Sequence, residues 1–370
     1  MHTQNGLVTP AGAGKLALSR RSLLKYVGIG GAALGSASLL AACGGGGNAA
    51  GAGALQDFAV AAFPGDAYFL DTINLENKDY ANHGLKVDKH LNPQSGVQAF
   101  QLLVAGAIDG YAADTLLLMA THANSSKGKR PMLIGFRNVE TTYGIVGSSK
   151  HTWPSADASF EEKIASLKGK RIGVTSVGAG GDLQLKLALE LAGMKYGDVT
   201  ALAVGPTAQA IPNLKADRID AYVTVQWTST RFVAQESGGT VLIDFAEKNV
   251  PDLMRNQAVV AIGMREETIE KNPDMAKNWL AAQNDANTWI VENKDKAAAL
   301  LNKTGLGGNG LEIANNYVEH YINDIAPNLK PMFKADKATV DHMAELALRF
   351  GSVKKGDITF ESLVPEFARA

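Results

Sequence analysis

A glycine-rich segment, SVGAGG at residues 176–181, follows a predicted strand and opens a predicted helix. Backbone N–H groups at the start of a helix can point at an anion along a favourable dipole. The dinucleotide-binding pattern G-x-G-x-x-G is not met, because Leu183 occupies its last position and no acidic ribose partner follows. We therefore predict that an anion or polar head group contacts this turn, with a ligand-free glycine turn as the alternative; the predicted contacts are Val177, Gly178 and Ala179.

Other candidate ligand-binding residues follow the ends of further predicted strands: Pro64, Gly65, Asp66, Tyr68, Asp114, Thr115, Gln226 and Trp227. The ring of Trp227, with amide and hydroxyl groups beside it, suits a small organic solute with an apolar body. Arg137 could pair bidentately with a carboxylate, and the alternative is a structural or surface arginine. Asp114 and Thr115 are also typical helix caps, and Tyr68 could close over a ligand or simply pack.

Patterns typical of catalysis or metal binding do not occur in the chain. The histidines lack the spacing H-E-x-x-H, and there is no G-x-S-x-G nucleophile elbow. Cys43 is the only cysteine, so no disulfide can form within the chain. We predict no catalytic residue, no metal and no cofactor. A formal net charge of −1 without a basic block argues against a nucleic-acid partner.

The first 42 residues predict an export signal. SRRSLLK at 19–25 supplies a twin-arginine pair, and a moderately apolar, Gly/Ala-rich stretch leads to LAAC at 40–43. The apolar stretch is too short for a stable membrane span, and LAAC resembles the lipobox of bacterial lipoproteins. We predict export by the twin-arginine route, lipidation of Cys43 and a flexible tether over 43–54, with an ordinary hydrophobic N-terminal helix as the alternative.

Two similar heptapeptides, AGAIDGY at 105–111 and ADRIDAY at 216–222, indicate two lobes built on one plan. Each contains an aspartate just before a predicted strand, Asp109 in the first and Asp220 in the second. We interpret both as turn residues that position a buried strand, with ligand binding as the alternative. The repeat therefore indicates architecture.

Predicted strands alternate with predicted helices along the chain, which favours parallel sheets with helical crossovers. Strands are predicted at 55–63, 107–113, 171–175, 199–204, 219–225 and 257–265. Helices are predicted at 96–106, 114–124, 182–192 and 272–293, with Pro212 interrupting a further helix through Leu214. The extended stretch at 130–149 is predicted to cross from the first lobe to the second.

Four segments carry a family resemblance: 95–115, 166–180, 213–227 and 267–306. Together they resemble the periplasmic solute-binding proteins of bacterial ABC importers, in the branch that handles nitrate, sulfonates, taurine, bicarbonate and thiamine-pyrimidine precursors. The resemblance implies an α/β, two-lobed type II periplasmic-binding-protein fold with two hinge-crossing strands and a ligand cleft between the lobes. We expect the first lobe at 55–140, the second at 141–256, and a return to the first lobe with C-terminal helices at 257–370.

The resemblance implies a monomeric lipoprotein at the extracytoplasmic face of a membrane. It would capture a small organic, anionic solute, such as a sulfonate or carboxylate, and deliver it to an ABC permease and its ATPase. Many relatives carry Trp-Glu-Pro where this chain has Trp227, Thr228 and Ser229, so the solute of those relatives is not assigned to this chain. Two alternatives remain: an enzyme of the thiamine-precursor type, which would need a Cys-rich motif that is missing here, and a solute sensor without a transport role.

Overall fold

The structure is a computed structural model that describes residues 55–329 and 333–370. The predicted export signal, the predicted lipidation site Cys43 and the predicted tether lie outside the described residues. Within the described ranges, no helix combines the length and the apolarity that a membrane span requires.

The strands are short and lie in three sheets. In chain order they are β1 (Gln56–Asp57), β2 (Val60–Ala61), β3 (Leu85–Lys86), β4 (Gly110–Asp114), β5 (Pro131–Phe136), β6 (Gly144–Gly147), β7 (Arg171–Val174), β8 (Thr200–Ala203), β9 (Ala221–Thr224), β10 (Thr240–Asp244) and β11 (Val260–Arg265).

The α-helices cover the faces of these sheets. In chain order they are α1 (Phe69–Glu76), α2 (Asp79–Asn82), α3 (Gly96–Ala105), α4 (Thr115–Asn124), α5 (Phe160–Ala165), α6 (Gly180–Leu191), α7 (Thr207–Lys215), α8 (Trp227–Ser237), α9 (Asp252–Arg255), α10 (Glu266–Lys271), α11 (Pro273–Glu292), α12 (Lys294–Gly305), α13 (Leu311–His320), α14 (Lys337–Arg349) and α15 (Phe360–Leu363). A π-helical turn follows α13 at Tyr321–Ile325, and short 3-10 turns cover Asp66–Tyr68, Tyr196–Asp198, Ala326–Asn328 and Glu366–Ala368.

Two separate sheets define the two lobes of the fold. The first lobe holds the sheet β2-β4-β11-β5, and the second lobe holds the sheet β10-β6-β9-β7-β8. The chain passes from the first sheet to the second between β5 and β6 and returns between β10 and β11. The return strand β11 pairs antiparallel with both β4 and β5. The predicted two-lobed fold with two crossings is confirmed.

The heptapeptide repeat has the same structural role in both lobes. In the first lobe, the carboxylate of Asp109 accepts the backbone N–H of Ala59 at 2.9 Å, and the Asp109 N–H donates back to the Ala59 carbonyl. In the second lobe, the carboxylate of Asp220 accepts the N–H of Arg171 at 2.7 Å, and the Asp220 N–H donates back to the Arg171 carbonyl. Each aspartate thus ties the start of its own strand to the neighbouring parallel strand, as the turn interpretation predicts.

Local sequence signals place several helix ends correctly. Asp114 is the N-cap of α4 and accepts the Leu117 N–H at 2.8 Å, while Gly106 ends α3 with a left-handed φ of 76°. Helix α6 begins at Gly180, before the predicted start, and Pro212 lies inside α7. The predicted strand at 55–63 is two strands, because β1 pairs with β3 whereas β2 pairs with β4. That change of partner breaks the ladder at residues 58 and 59.

Candidate functional site

A cavity of about 550 Å³ lies between the two lobes. The first lobe contributes the loops that follow β2 and β4, and the second lobe contributes those that follow β7, β8 and β9. Residues 304–307, at the end of α12, close one side. Ligands of open α/β sheets bind where loops follow the carboxyl ends of parallel strands, and a volume of this size is typical of a small-molecule site.

Six of the sequence-predicted residues line this cavity: Pro64, Gly65, Tyr68, Asp114, Ala179 and Gln226. They come from both lobes, so the structure brings these predicted contacts together in one space. Their contact with a ligand stays a prediction.

Three other predicted residues lie in a small adjoining pocket of about 40 Å³: Asp66, Arg137 and Trp227. The guanidinium of Arg137 is buried and forms an ion pair with the buried Asp71 at 2.7 Å, and it also donates to the Ala67 carbonyl at 3.0 Å. These contacts favour the alternative interpretation of Arg137 as a structural arginine. Its charge is neutralised in the protein core, away from the main cavity.

The remaining predicted contacts do not reach the cavity. The Thr115 side chain is fully buried and its hydroxyl donates to the carbonyl of Ala258. Val177 points to solvent with 56% of its surface exposed. Gly178 has a left-handed φ of 83°, and its N–H donates to the carboxylate of Asp182 at 2.9 Å. This glycine turn is thus engaged by the protein's own acidic side chain.

Asp66 joins the two lobes. It belongs to the first lobe, but its carboxylate accepts the N–H groups of Trp227 at 3.2 Å and Thr228 at 3.0 Å, and it also accepts the Thr228 hydroxyl. These donors lie at the N-terminus of α8 in the second lobe, where a negative charge is stabilised by the helix dipole. Burial raises the pKa of Asp66, against the lowering effect of these hydrogen bonds.

Gln226 adds a second link between the lobes. Its side-chain oxygen accepts the Ala67 N–H at 3.2 Å, and its side-chain nitrogen donates to the Pro64 carbonyl at 3.1 Å. We call the contacts of Asp66 and Gln226 with the opposite lobe the interlobe clasp. The clasp fixes the loop at 64–67 against the start of α8, and so closes one wall of the cavity.

Trp227 contributes to the lobe contact by packing. Its ring stacks on His320 with centroids 5.6 Å apart and an interplanar angle of 17°. The guanidinium of Arg231 lies 3.4 Å from the Trp227 ring centroid and forms an ion pair with Asp244. The indole therefore lies between an arginine of the second lobe and a histidine of α13.

The first-lobe wall of the cavity is aromatic. The rings of Tyr68 and Tyr111 stack with centroids 6.1 Å apart, and their hydroxyl groups are 3.1 Å apart. Phe63 packs edge-on against Tyr68 at 5.3 Å. Tyr111 was not predicted as a site residue, although its place in the AGAIDGY repeat at the start of β4 was a usable signal.

Asp114 and Tyr143 form the polar end of the same wall. The Tyr143 hydroxyl donates to Asp114 at 2.6 Å, and burial raises the pKa of both groups. Gly180 of α6 lies directly against this pair, because a β-carbon at that position would overlap both side chains. Tyr143 was also missed, since it lies on the crossing segment and reaches the site only through the packing of the lobes.

Three side chains that could together hold a metal ion do not line the cavity: His151, Asp217 and Asp220. Asp220 accepts three hydrogen bonds from Arg171 and one from His151 at 2.8 Å. Burial alone would raise the pKa of Asp220, but these hydrogen bonds hold it well below its usual range. The charge of Asp220 is balanced by Arg171, and Asp220 has the structural role described above.

The two sheets, the double crossing and the cleft define the periplasmic-binding-protein fold. The nitrate-binding protein NrtA from Synechocystis has this fold, with a TM-score of 0.65 and 19% identity over 82% of this chain and 83% of that one. The alkanesulfonate-binding protein SsuA from Xanthomonas axonopodis has a TM-score of 0.64 and 16% identity over 85% of this chain and 98% of that one. A desulfurization enzyme shares the fold as well, with a TM-score of 0.57 and 13% identity over 84% and 97%.

The chain belongs to the NMT1-like family, whose model matches residues 64–304. A Brucella abortus protein named as a binding protein is 26% identical over 225 residues. That match covers 60% of this chain and 63% of the relative, so the chain spans less than two thirds of the relative's length.

Proposed function

We propose that this chain is the solute-binding protein of an ABC importer, which captures a small organic solute between its lobes and delivers it to the permease and its ATPase. The cavity of about 550 Å³ between the lobes is the observation that carries this proposal. Its two walls belong to different sheets, so a solute in it contacts both lobes at once. Names of relatives that specify nitrate and sulfonate binding support an acidic group on the solute.

Closure of the cleft is the physical basis of capture. A solute that contacts both lobes binds the closed arrangement more tightly than the open one and shifts the population towards closure. The crossings at 137–143 and 245–259 are the segments about which the lobes would rotate. The interlobe clasp of Asp66 and Gln226 adds direct protein contacts to the same closed arrangement.

We further propose that the chain binds its solute without transforming it, and that it works as a monomer. The relatives named as binding proteins support the first point. The twin-arginine signal and the lipobox at Cys43 support delivery to the extracytoplasmic face, with a lipid anchor that keeps the chain near the permease. A sensor without a transporter would need the same cleft, and loss of solute uptake on deletion of the chain distinguishes the importer.

Thermal unfolding of the purified chain tests the proposal. Small sulfonates, carboxylates and nitrate are screened as pure compounds. A fraction of small metabolites from cells is screened as a separate sample. A ligand at about a hundredfold its Kd stabilises the native state by about 2.7 kcal/mol, which is a measurable rise in Tm. Recovery of the solute unchanged, by mass spectrometry, checks that no reaction occurs.

Matched glycine variants locate the binding site. Gly180→Ala places a methyl group against Asp114 and Tyr143, and should abolish the ligand-dependent rise in Tm. Gly197→Ala meets no heavy atom within 4 Å and should behave as wild type. If no compound or metabolite fraction raises the Tm, the solute-binding proposal is wrong; if Gly180→Ala binds normally, the ligand lies elsewhere.

A further inference from the structure

The charge of the cavity wall restricts the solute beyond the proposed function, on which this inference rests. Among the described residues that line the cavity there is no lysine, arginine or histidine. One carboxylate, that of Asp114, does line it. The ionisable side chains facing the solute are therefore Asp114 and three tyrosines, whose pKa values are all raised by burial.

Acidic side chains of the protein lie beside two of the helix N-termini near the cavity. Asp182 accepts the Gly178 N–H before α6, and it also pairs with Lys186 at 2.8 Å. Asp66 accepts the N–H groups of Trp227 and Thr228 at the start of α8. At the start of α8 the first donors are therefore taken by the protein itself, whereas the Gly178 N–H lies before the first turn of α6, whose N-terminal Gly180 and Gly181 line the cavity.

The carboxylate of Asp114 can accept further hydrogen bonds. One oxygen accepts the Leu117 N–H at 2.8 Å and the other accepts the Tyr143 hydroxyl at 2.6 Å. A carboxylate has about four lone-pair directions, so each oxygen can accept one more donor. Both existing partners are neutral, and a half-buried carboxylate with neutral partners is best stabilised by a positively charged donor.

Apolar and aromatic side chains surround this carboxylate. Tyr68 and Tyr111 form the stacked pair beside it, Leu117 lies one turn along α4, and Phe232 of α8 faces them from the second lobe. We infer that the solute presents a protonated nitrogen group to Asp114 and lays an apolar or aromatic body against these rings. An acidic group at the other end of the molecule, as in an aminosulfonate or amino acid, is compatible with this assignment.

Matched pairs of probes that differ only in the amino group test the inference. Suitable pairs are taurine with ethanesulfonate, 4-aminobutyrate with butyrate, and benzylamine with benzyl alcohol. The dissociation constant of each is measured by calorimetry against the full mature chain. A charge-assisted hydrogen bond to Asp114 should make the amino member of a pair bind about 10- to 100-fold more tightly.

Asp114→Asn removes the charge and should abolish this preference, because asparagine retains the hydrogen-bonding shape and is an equally good helix cap. The control is Asp182→Asn, since Asp182 also accepts a tyrosine hydroxyl, that of Tyr196 at 2.5 Å, but does not line the cavity. The control should keep the amino preference. Melting curves confirm that both variants fold.

The inference is overturned if amine-free probes bind as tightly as their partners, if Asp114→Asn retains the preference, or if no amino probe binds. In those cases the metabolite fraction distinguishes the two proposals. A rise in Tm with that fraction leaves the solute-binding function standing, whereas no rise with any solute contradicts the function itself.

Discussion

Replacing Asp66 by alanine should open the cleft. Asp66 is 5% exposed, and its carboxylate accepts two backbone N–H groups and one hydroxyl at the start of α8 in the opposite lobe. Alanine leaves these donors without an acceptor only while the lobes are together. When the lobes separate, water satisfies the donors, so the substitution penalises the closed arrangement selectively.

The magnitude follows from the contacts that are lost. An N-cap residue contributes about 1 kcal/mol to a helix, and a hydrogen bond to a charged group contributes about 1.5–3 kcal/mol. Hydration of the freed groups and of the carboxylate in the open arrangement offsets part of this sum. We expect a net shift of about 2–3 kcal/mol, which changes the ratio of closed to open molecules by about 30- to 150-fold.

Spin labels on the two lobes measure this ratio. Lys127→Cys in the first lobe and Lys215→Cys in the second are exposed, and Cys43→Ser removes the only native cysteine. The control is Asp336→Ala, because Asp336 caps α14 through the Thr339 N–H at 2.9 Å and is not part of the interlobe clasp. An unchanged distance distribution in Asp66→Ala, or an equal change in the control, would refute the reasoning.

Two further predictions concern Trp227 and pH. Trp227→Ala should weaken solute affinity about tenfold while the chain stays folded, because the indole packs between the lobes outside the cavity. Trp153→Ala should leave the affinity measured by calorimetry unchanged, because Trp153 does not line the cavity and its indole N–H donates to the Ser148 carbonyl. Burial raises the pKa of Asp66 and Asp114, so the folded chain retains protons that the unfolded chain has released. Their contribution to the free energy of unfolding is present below about pH 4 and is lost as pH rises through the raised values. The free energy of unfolding, measured with urea from about pH 4 to pH 7, should show this fall, and the fall should be smaller in Asp66→Asn. The pKa of Asp220 is lowered, so its own contribution changes with pH only in a more acidic range.

Features set by neighbouring residues could be predicted from the sequence. The cap of α4 by Asp114 and the end of α3 at Gly106 depend on hydrogen bonds and dihedral angles within a few residues. The equivalence of Asp109 and Asp220 could be predicted because each lies at the same position of a repeated heptapeptide. The two-lobed fold followed from the order of such elements together with the family resemblance.

Features set by distant partners could not be predicted. Arg137 was a candidate partner for a carboxylate of the solute, with a structural role as the alternative; its ion-pair partner, Asp71, lies on a helix that reaches it only in the folded first lobe, so the sequence could not name that partner. Tyr143 lies on a crossing segment with no motif, and its link to Asp114 forms only when the lobes pack together. Trp227 follows a strand as expected, yet the turn of α8 directs its ring towards His320.

The paired aspartate ties inside each sheet have a mechanical consequence. Asp109 and Asp220 secure strands within their own lobes, and neither tie spans the boundary between them. Under the proposed function each lobe would move as a rigid body, and release of the solute would break only the polar contacts and ring packing between the lobes. Substitutions in those contacts would then change the lifetime of the closed, solute-bound state without changing the stability of either lobe.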